Sequence, residues 1–217
     1  KSFVDIFGSA GSYGSANGGA KLNLSSGKVI NMVSGSYNRS DGYLRNSEGK
    51  LTADFNSSKL FYQGRLSNSS ANIDWLAGYS DRNYGSNTFY SAKYDNQFEH
   101  TRKFFTSVQA QTNGDIQFKP VVYWTRGEDR FELIKGSEEK VPFNYHRTDI
   151  FGINLNAYFS TILGKTALGA EMRSENIKST VLGELLDKPL DINCSDRQYT
   201  KGLDRTNLSI HLEHNIL

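Results

Sequence analysis

The sequence predicts an all-β protein: an antiparallel up-and-down transmembrane β-barrel segment of about ten strands, with short periplasmic turns and long extracellular loops. Three observations lead there. Apolar and polar residues alternate with a period of two over long stretches. The connections between those stretches alternate between tight and long. The composition pairs 12% aromatic residues and 20 Gly with only 3 Pro, a mixture that suits strands and turns.

Taken in chain order, the first clear alternation sets Ile73, Trp75, Ala77 and Tyr79 against Asp74, Gly78 and Ser80. The next sets Ile116, Phe118, Pro120, Val122 and Trp124 against Gln117, Lys119, Tyr123 and Thr125. From 149 to 160, Phe151, Ile153, Leu155, Ala157 and Phe159 oppose Gly152, Asn154, Asn156, Tyr158 and Ser160. After a tight turn at Leu163-Gly164-Lys165-Thr166, Leu168, Ala170 and Met172 oppose Gly169, Glu171 and Arg173. A last copy sets Leu208, Ile210 and Leu212 against Ser209, His211 and Glu213. Short turns at Ser26-Gly27, Asn68–Ser70, Asn113-Gly114 and Gly164-Lys165 separate long polar excursions at about 38–53, 81–100, 127–144 and 174–205. Counting outward from the turns places strands near 2–11, 16–25, 28–40, 53–67, 72–82, 99–111, 115–127, 145–162, 166–178 and 205–217.

The face carrying Asp74, Lys119, Glu171, Arg173 and Glu213 must meet water or a plug, because Lys or Arg facing mid-depth hydrocarbon costs roughly 2–4 kcal/mol. The opposite face then meets acyl chains, with Trp75, Trp124, Phe159, Tyr79 and Phe104 as candidates for interfacial aromatic girdles. A soluble sandwich or lipocalin-like barrel is the alternative that hides the same face in a core.

Charge and motifs narrow the function. With 25 Lys+Arg against 23 Asp+Glu, the chain has no net field to attract nucleic acid. No run of roughly 20 apolar residues exists, so no helix can span a membrane, which leaves a barrel untouched. The single Cys194 sits in a polar stretch without a CxxC partner and reads as a loop thiol. His211-Leu212-Glu213-His214 looks like a zinc motif, but on a strand His211 and Glu213 share one face and His214 takes the other. The Gly8, Gly11, Gly14 spacing is not GxGxxG, and neither GxSxG nor a P-loop occurs. No enzyme, metal site or cofactor is expected.

The long excursions concentrate rings and amides. Tyr84, Tyr90, Trp124, Arg130 and Tyr145 are the candidate ligand-binding residues, at or beyond the long-loop ends of their strands, where stacking and hydrogen bonding can act together. Asp81, Asp95 and Asp129 carry the right atoms for calcium, but no DxDxDG loop holds them.

Residues 36–43 (SYNRSDGY), 74–81 (DWLAGYSD) with 84–90 (YGSNTFY), and 142–149 (PFNYHRTD) resemble the barrel region of TonB-dependent outer-membrane receptors, most closely the cobalamin-receptor type. The resemblance implies residence in the cell outer membrane and active uptake of a large scarce nutrient, such as cobalamin or an iron chelate carried by a siderophore. It also implies energy delivered by TonB through a plug domain. Partners expected on that basis are the nutrient ligand, outer-membrane lipid, the plug and TonB. The family carries a coupling box, a plug and about twenty-two strands, so residues 1–217 are expected to be a partial barrel lacking the plug and the remaining strands. A small stand-alone outer-membrane barrel and a soluble β binding module remain the alternatives.

Overall fold

The computed structural model describes residues 1–43, 53–193 and 195–216; Cys194, Leu217 and part of the first long excursion lie outside them. Within them the chain is all-β and forms one antiparallel sheet. Its strands are β1 (Phe3–Gly11), β2 (Ser15–Ser26), β3 (Val29–Ser40), β4 (Phe55–Ser67), β5 (Ala71–Asn87), β6 (Gln97–Thr112), β7 (Ile116–Glu132), β8 (Asn144–Thr161), β9 (Gly164–Ser179), β10 (Glu184–Asp191) and β11 (Gln198–Ile216). The order is β1-β2-β3-β4-β5-β6-β7-β8-β9-β11-β10, a meander until the last exchange. Among the described residues β1 pairs only with β2, and β11 below Gly202 pairs only with β9, so the sheet stays open along both edges.

Eleven strands stand where the sequence pattern indicates about ten. The additional β10 lies inside the 174–205 excursion. Its residues Glu184-Leu185-Leu186-Asp187-Lys188-Pro189-Leu190-Asp191 do not alternate, and its register with β11 shifts between Leu185 and Leu190. Pro189 removes a backbone donor, which suits an edge strand only. Strands β5, β6, β7 and β11 also run several residues into the excursions, where both faces are polar and the period-two signal disappears. The β8–β9 turn is Ile162-Leu163, just ahead of the position the sequence suggests.

Connection lengths segregate as expected with one exception, the tight β1–β2 turn at the long-loop end. Ser15 donates its backbone N–H to the Ser12 carbonyl across Tyr13 and Gly14, both with positive φ, the geometry of a primed hairpin turn. Tyr13 packs edge-on against Tyr43 across that end, ring centroids 5.3 Å apart.

Where β9 ends, the chain crosses β11 before forming β10. Ser179 starts the crossing: its hydroxyl accepts from the backbone N–H groups of Val181 and Leu182 and bonds His146 Nδ1 at 2.8 Å. The crossing needs glycine at 202, because a Cβ there would lie 2.7 Å from the Ile177 carbonyl oxygen and 3.0 Å from Leu186 Cδ2. The β10–β11 hairpin then packs Ile192, Tyr199 and Leu186 against Phe143 and Tyr145, forming the one cluster of buried apolar residues among those described. A single layer with so small a core leaves both sheet faces uncovered.

Candidate functional site

Register converts the alternation of each strand into continuous rows across the sheet. Val4, Leu22, Val33, Tyr62, Ala77, Thr106, Trp124, Phe151, Ser174 and Thr206 are successive partners on the apolar face. A row on the other face reads Asn17, Asn38, Ser57, Arg82, Thr101, Asp129, His146, Ser179 and Lys201, polar at every position. One slip of register would exchange these faces, so the rows fix the sheet's two-sidedness.

The apolar face carries a belt bounded at the long-loop end by Tyr79, Phe104 and Trp124. The polar tips of Trp124 and Tyr79 point at carboxylates just beyond the belt: Trp124 Nε1 donates to Asp149 at 3.1 Å and the Tyr79 hydroxyl to Asp81 at 3.4 Å. Phe104 packs on Trp124 at 5.2 Å. Past this line the same face turns ionic: Arg126 clasps Asp149 through Nε at 2.7 Å, and Asp81 binds His100 at 3.1 Å and Arg102 at 3.0 Å. Asp81 is thus held by Arg102 and the His100 ring, and no cluster of three or more metal-binding side chains occurs among the described residues. His211 and Glu213 take one face of β11 and His214 the other, where His214 Nδ1 meets Thr166 Oγ1 at 2.9 Å.

The five candidate ligand residues fall in three places. Trp124 belongs to the aromatic line. Arg130 and Tyr145 lie beyond it on the same face: Arg130 pairs with Glu132 at 2.8 Å and covers the Phe143 ring at 5.8 Å, while Tyr145 is 8% exposed beneath the β10–β11 hairpin. Tyr145 is therefore a packing residue rather than an open loop ring. Only Tyr84 and Tyr90 come together, at the long-loop end on the polar-face side.

There the Tyr84 hydroxyl donates to the buried Glu99 carboxylate. The exposed Tyr90 ring packs edge-on against Phe131 at 4.7 Å and Phe89 at 4.9 Å. Partial burial and a hydrogen bond to Glu99 push the Tyr90 phenol up to about 12, so it remains a proton donor at neutral pH. Buried Gln97 fixes the 88–96 segment: its carbonyl accepts from Tyr90 N–H at 3.0 Å and its amide donates to the Ser91 and Tyr94 carbonyls at 2.8 Å each. Lys135 ties the 133–143 loop to the start of β4 by pairing with Asp54 at 2.8 Å, 4.3 Å from the Phe98 centroid. Gln97 and Glu99 were not expected from sequence, since buried polar residues in a polar segment break no pattern.

Beside Tyr84 on the polar face is a cleft of about 400 Å³, bordered by Asn38, Ser57, Lys59, Arg82 and Tyr84. No family model matches the chain, and no curated protein matches it.

Proposed function

We propose that the chain forms part of the transmembrane wall of an outer-membrane uptake receptor of the TonB-dependent type, for a large scarce nutrient such as cobalamin or an iron chelate. One observation carries this reading: an uncovered apolar belt on a one-layer antiparallel meander, edged by aromatic rings whose polar tips point away from it. From Phe159 to Phe151 the β8 belt spans eight residue steps, about 27 Å along the strand and about 21 Å along the membrane normal at a tilt near 40°, a little less than the roughly 25 Å of a barrel's apolar band. Leu155, Leu208 and Ile210 on this face are 56%, 76% and 88% exposed. A soluble sandwich would need a second layer to bury them.

The polar face then lines a lumen, and the long-loop end faces outside, where Tyr90 on its Gln97-braced loop meets ligand. The barrel's part is passive; plug and TonB supply the coupling, as the resemblance implies. A stand-alone barrel is the second reading, favoured by one feature. β1 and β11 run antiparallel to each other with free edges, so they are competent to pair.

Outer membranes from cells producing the protein test the receptor reading with labelled cobalamin and a labelled ferric siderophore. Saturable binding of one of them, weakened by about 1–3 kcal/mol in Tyr90→Ala, is expected. Binding of neither refutes an uptake receptor for these nutrients.

A further inference from the structure

The described arginines of this molecule are almost all neutralised locally. Arg39, Arg65, Arg102, Arg126, Arg130, Arg147, Arg173, Arg197 and Arg205 each pair with a carboxylate within 4 Å. Arg82 alone among the described arginines has no acidic partner; its guanidinium instead lies 5.7 Å from the Tyr84 ring. It also has cationic neighbours. Lys59 and Lys103 are the partners of Ser80 on either side of β5, so both lie on the polar face diagonal to Arg82. Diagonal partners are roughly 7–8 Å apart, within reach of long side chains. Neither lysine has an ion-pair partner among the described residues, and all three cations are exposed.

Three like charges gathered without an ion-pair partner repel one another, and the described arginines elsewhere are paired. Two further groups complete the setting. The Ser57 hydroxyl, partner of Arg82 in register, is buried without a hydrogen-bond partner, and Asn38 sits beside it on β3. Nearby carboxylates are committed: Glu99 takes the Tyr84 and Tyr90 phenols, and Asp54 takes Lys135.

We infer that Arg82, Lys59 and Lys103, with Ser57 and Asn38, form an anion-binding subsite in the polar-face cleft. It would take a carboxylate or phosphate group on a small ligand. A guanidinium fork matches either anion bidentately, the lysines add charge, and the serine and amide supply neutral hydrogen bonds. This deepens the receptor reading by making the ligand anionic, and it rests on that reading only for the ligand's route.

The test uses the full chain folded in zwitterionic detergent, with citrate and pyrophosphate as probes in calorimetric titrations at low salt. Saturable one-to-one binding of at least one probe is expected, weakened at least tenfold by Arg82→Gln and by Lys59→Gln with Lys103→Gln. Lys119→Gln, a cation on the same face near the short-turn end, should leave it within twofold. A preference between the probes assigns the group as carboxylate or phosphate. Circular dichroism shows that each variant is folded. Failure of both probes to bind folded protein, or equal weakening by Lys119→Gln, overturns the subsite. Neither result touches the receptor reading, which stands or falls on nutrient binding to membranes.

Discussion

Leu155→Arg separates a lipid-facing sheet from a water-facing one. Leu155 is the middle residue of the β8 belt, four positions from both Phe151 and Phe159. Its cross-strand partners are Pro120 and Ala170, and its neighbours on the same face are Ile153 and Ala157, so an arginine there finds no carboxylate. At mid-depth in a bilayer the charge costs about 2–4 kcal/mol, or roughly 30- to 700-fold in the folding equilibrium. On a surface in water the same change is worth about 0.5 kcal/mol or less. Asn154→Arg is the internal control. It lies one residue away on the opposite face, between Val121 and Glu171 in register, where the new cation meets water and an acid. Urea titrations of the protein folded into phosphatidylcholine vesicles give both free energies. The expected result is a loss of about 2–4 kcal/mol for Leu155→Arg and under about 1 kcal/mol for Asn154→Arg. Equal small losses would refute the assignment of the apolar face to lipid.

Tyr145→Ala should release the β10–β11 hairpin by about 3–5 kcal/mol, because the ring is buried against Phe143, Ile192 and Tyr199. Protease nicking at 192–197 should accelerate while the belt stays folded; an unchanged rate would show that the hairpin does not depend on this cluster. Partial burial and the Glu99 carboxylate raise the Asp129 carboxyl above its ordinary 3.8, with His146 opposing. The folded state therefore holds that proton more tightly than the unfolded chain, so this group's contribution to stability is greatest below about 3.8 and is lost as pH rises through the folded value. Asp129→Asn should stabilise the protein more at pH 7 than at pH 3 in the same urea titration, and an equal effect at both would contradict the shift.

The belt was legible in sequence because each residue there has one allowed face. Phe151, Ile153 and Leu155 cannot exchange with Gly152 and Asn154 without inverting every neighbour, so strand positions and turns followed from counting. The long-loop end was legible only as a concentration of rings. Tyr90 and Tyr145 look alike in sequence, yet Tyr90 is 57% exposed and Tyr145 is 8% exposed. The difference is made by a hairpin some 50 residues further on, whose strand β10 has no alternation to announce it. The Arg82 cluster was equally hidden, since it is defined by the residues that meet Arg82 across β4, β5 and β6 and by its diagonal neighbour Glu99 being taken by Tyr84, a property of register rather than of any one segment.

The two ends of the sheet's strands do different physical work, and this explains where the pairing is spent. In the belt, cross-strand neighbours on the apolar face are interchangeable, so backbone ladder bonds hold the strands. Beyond the belt side chains take over: Asp149 with Arg126 and Arg147, Asp81 with His100 and Arg102, Gln97 with its own loop. Such braces are costly to break, because each removal strands a partner that has already given up part of its hydration. A loop braced by such contacts presents donors to a ligand with less to order at the moment of binding. Arg82 stands out against that background: among the described arginines it alone has no acidic partner, and it borders the cleft.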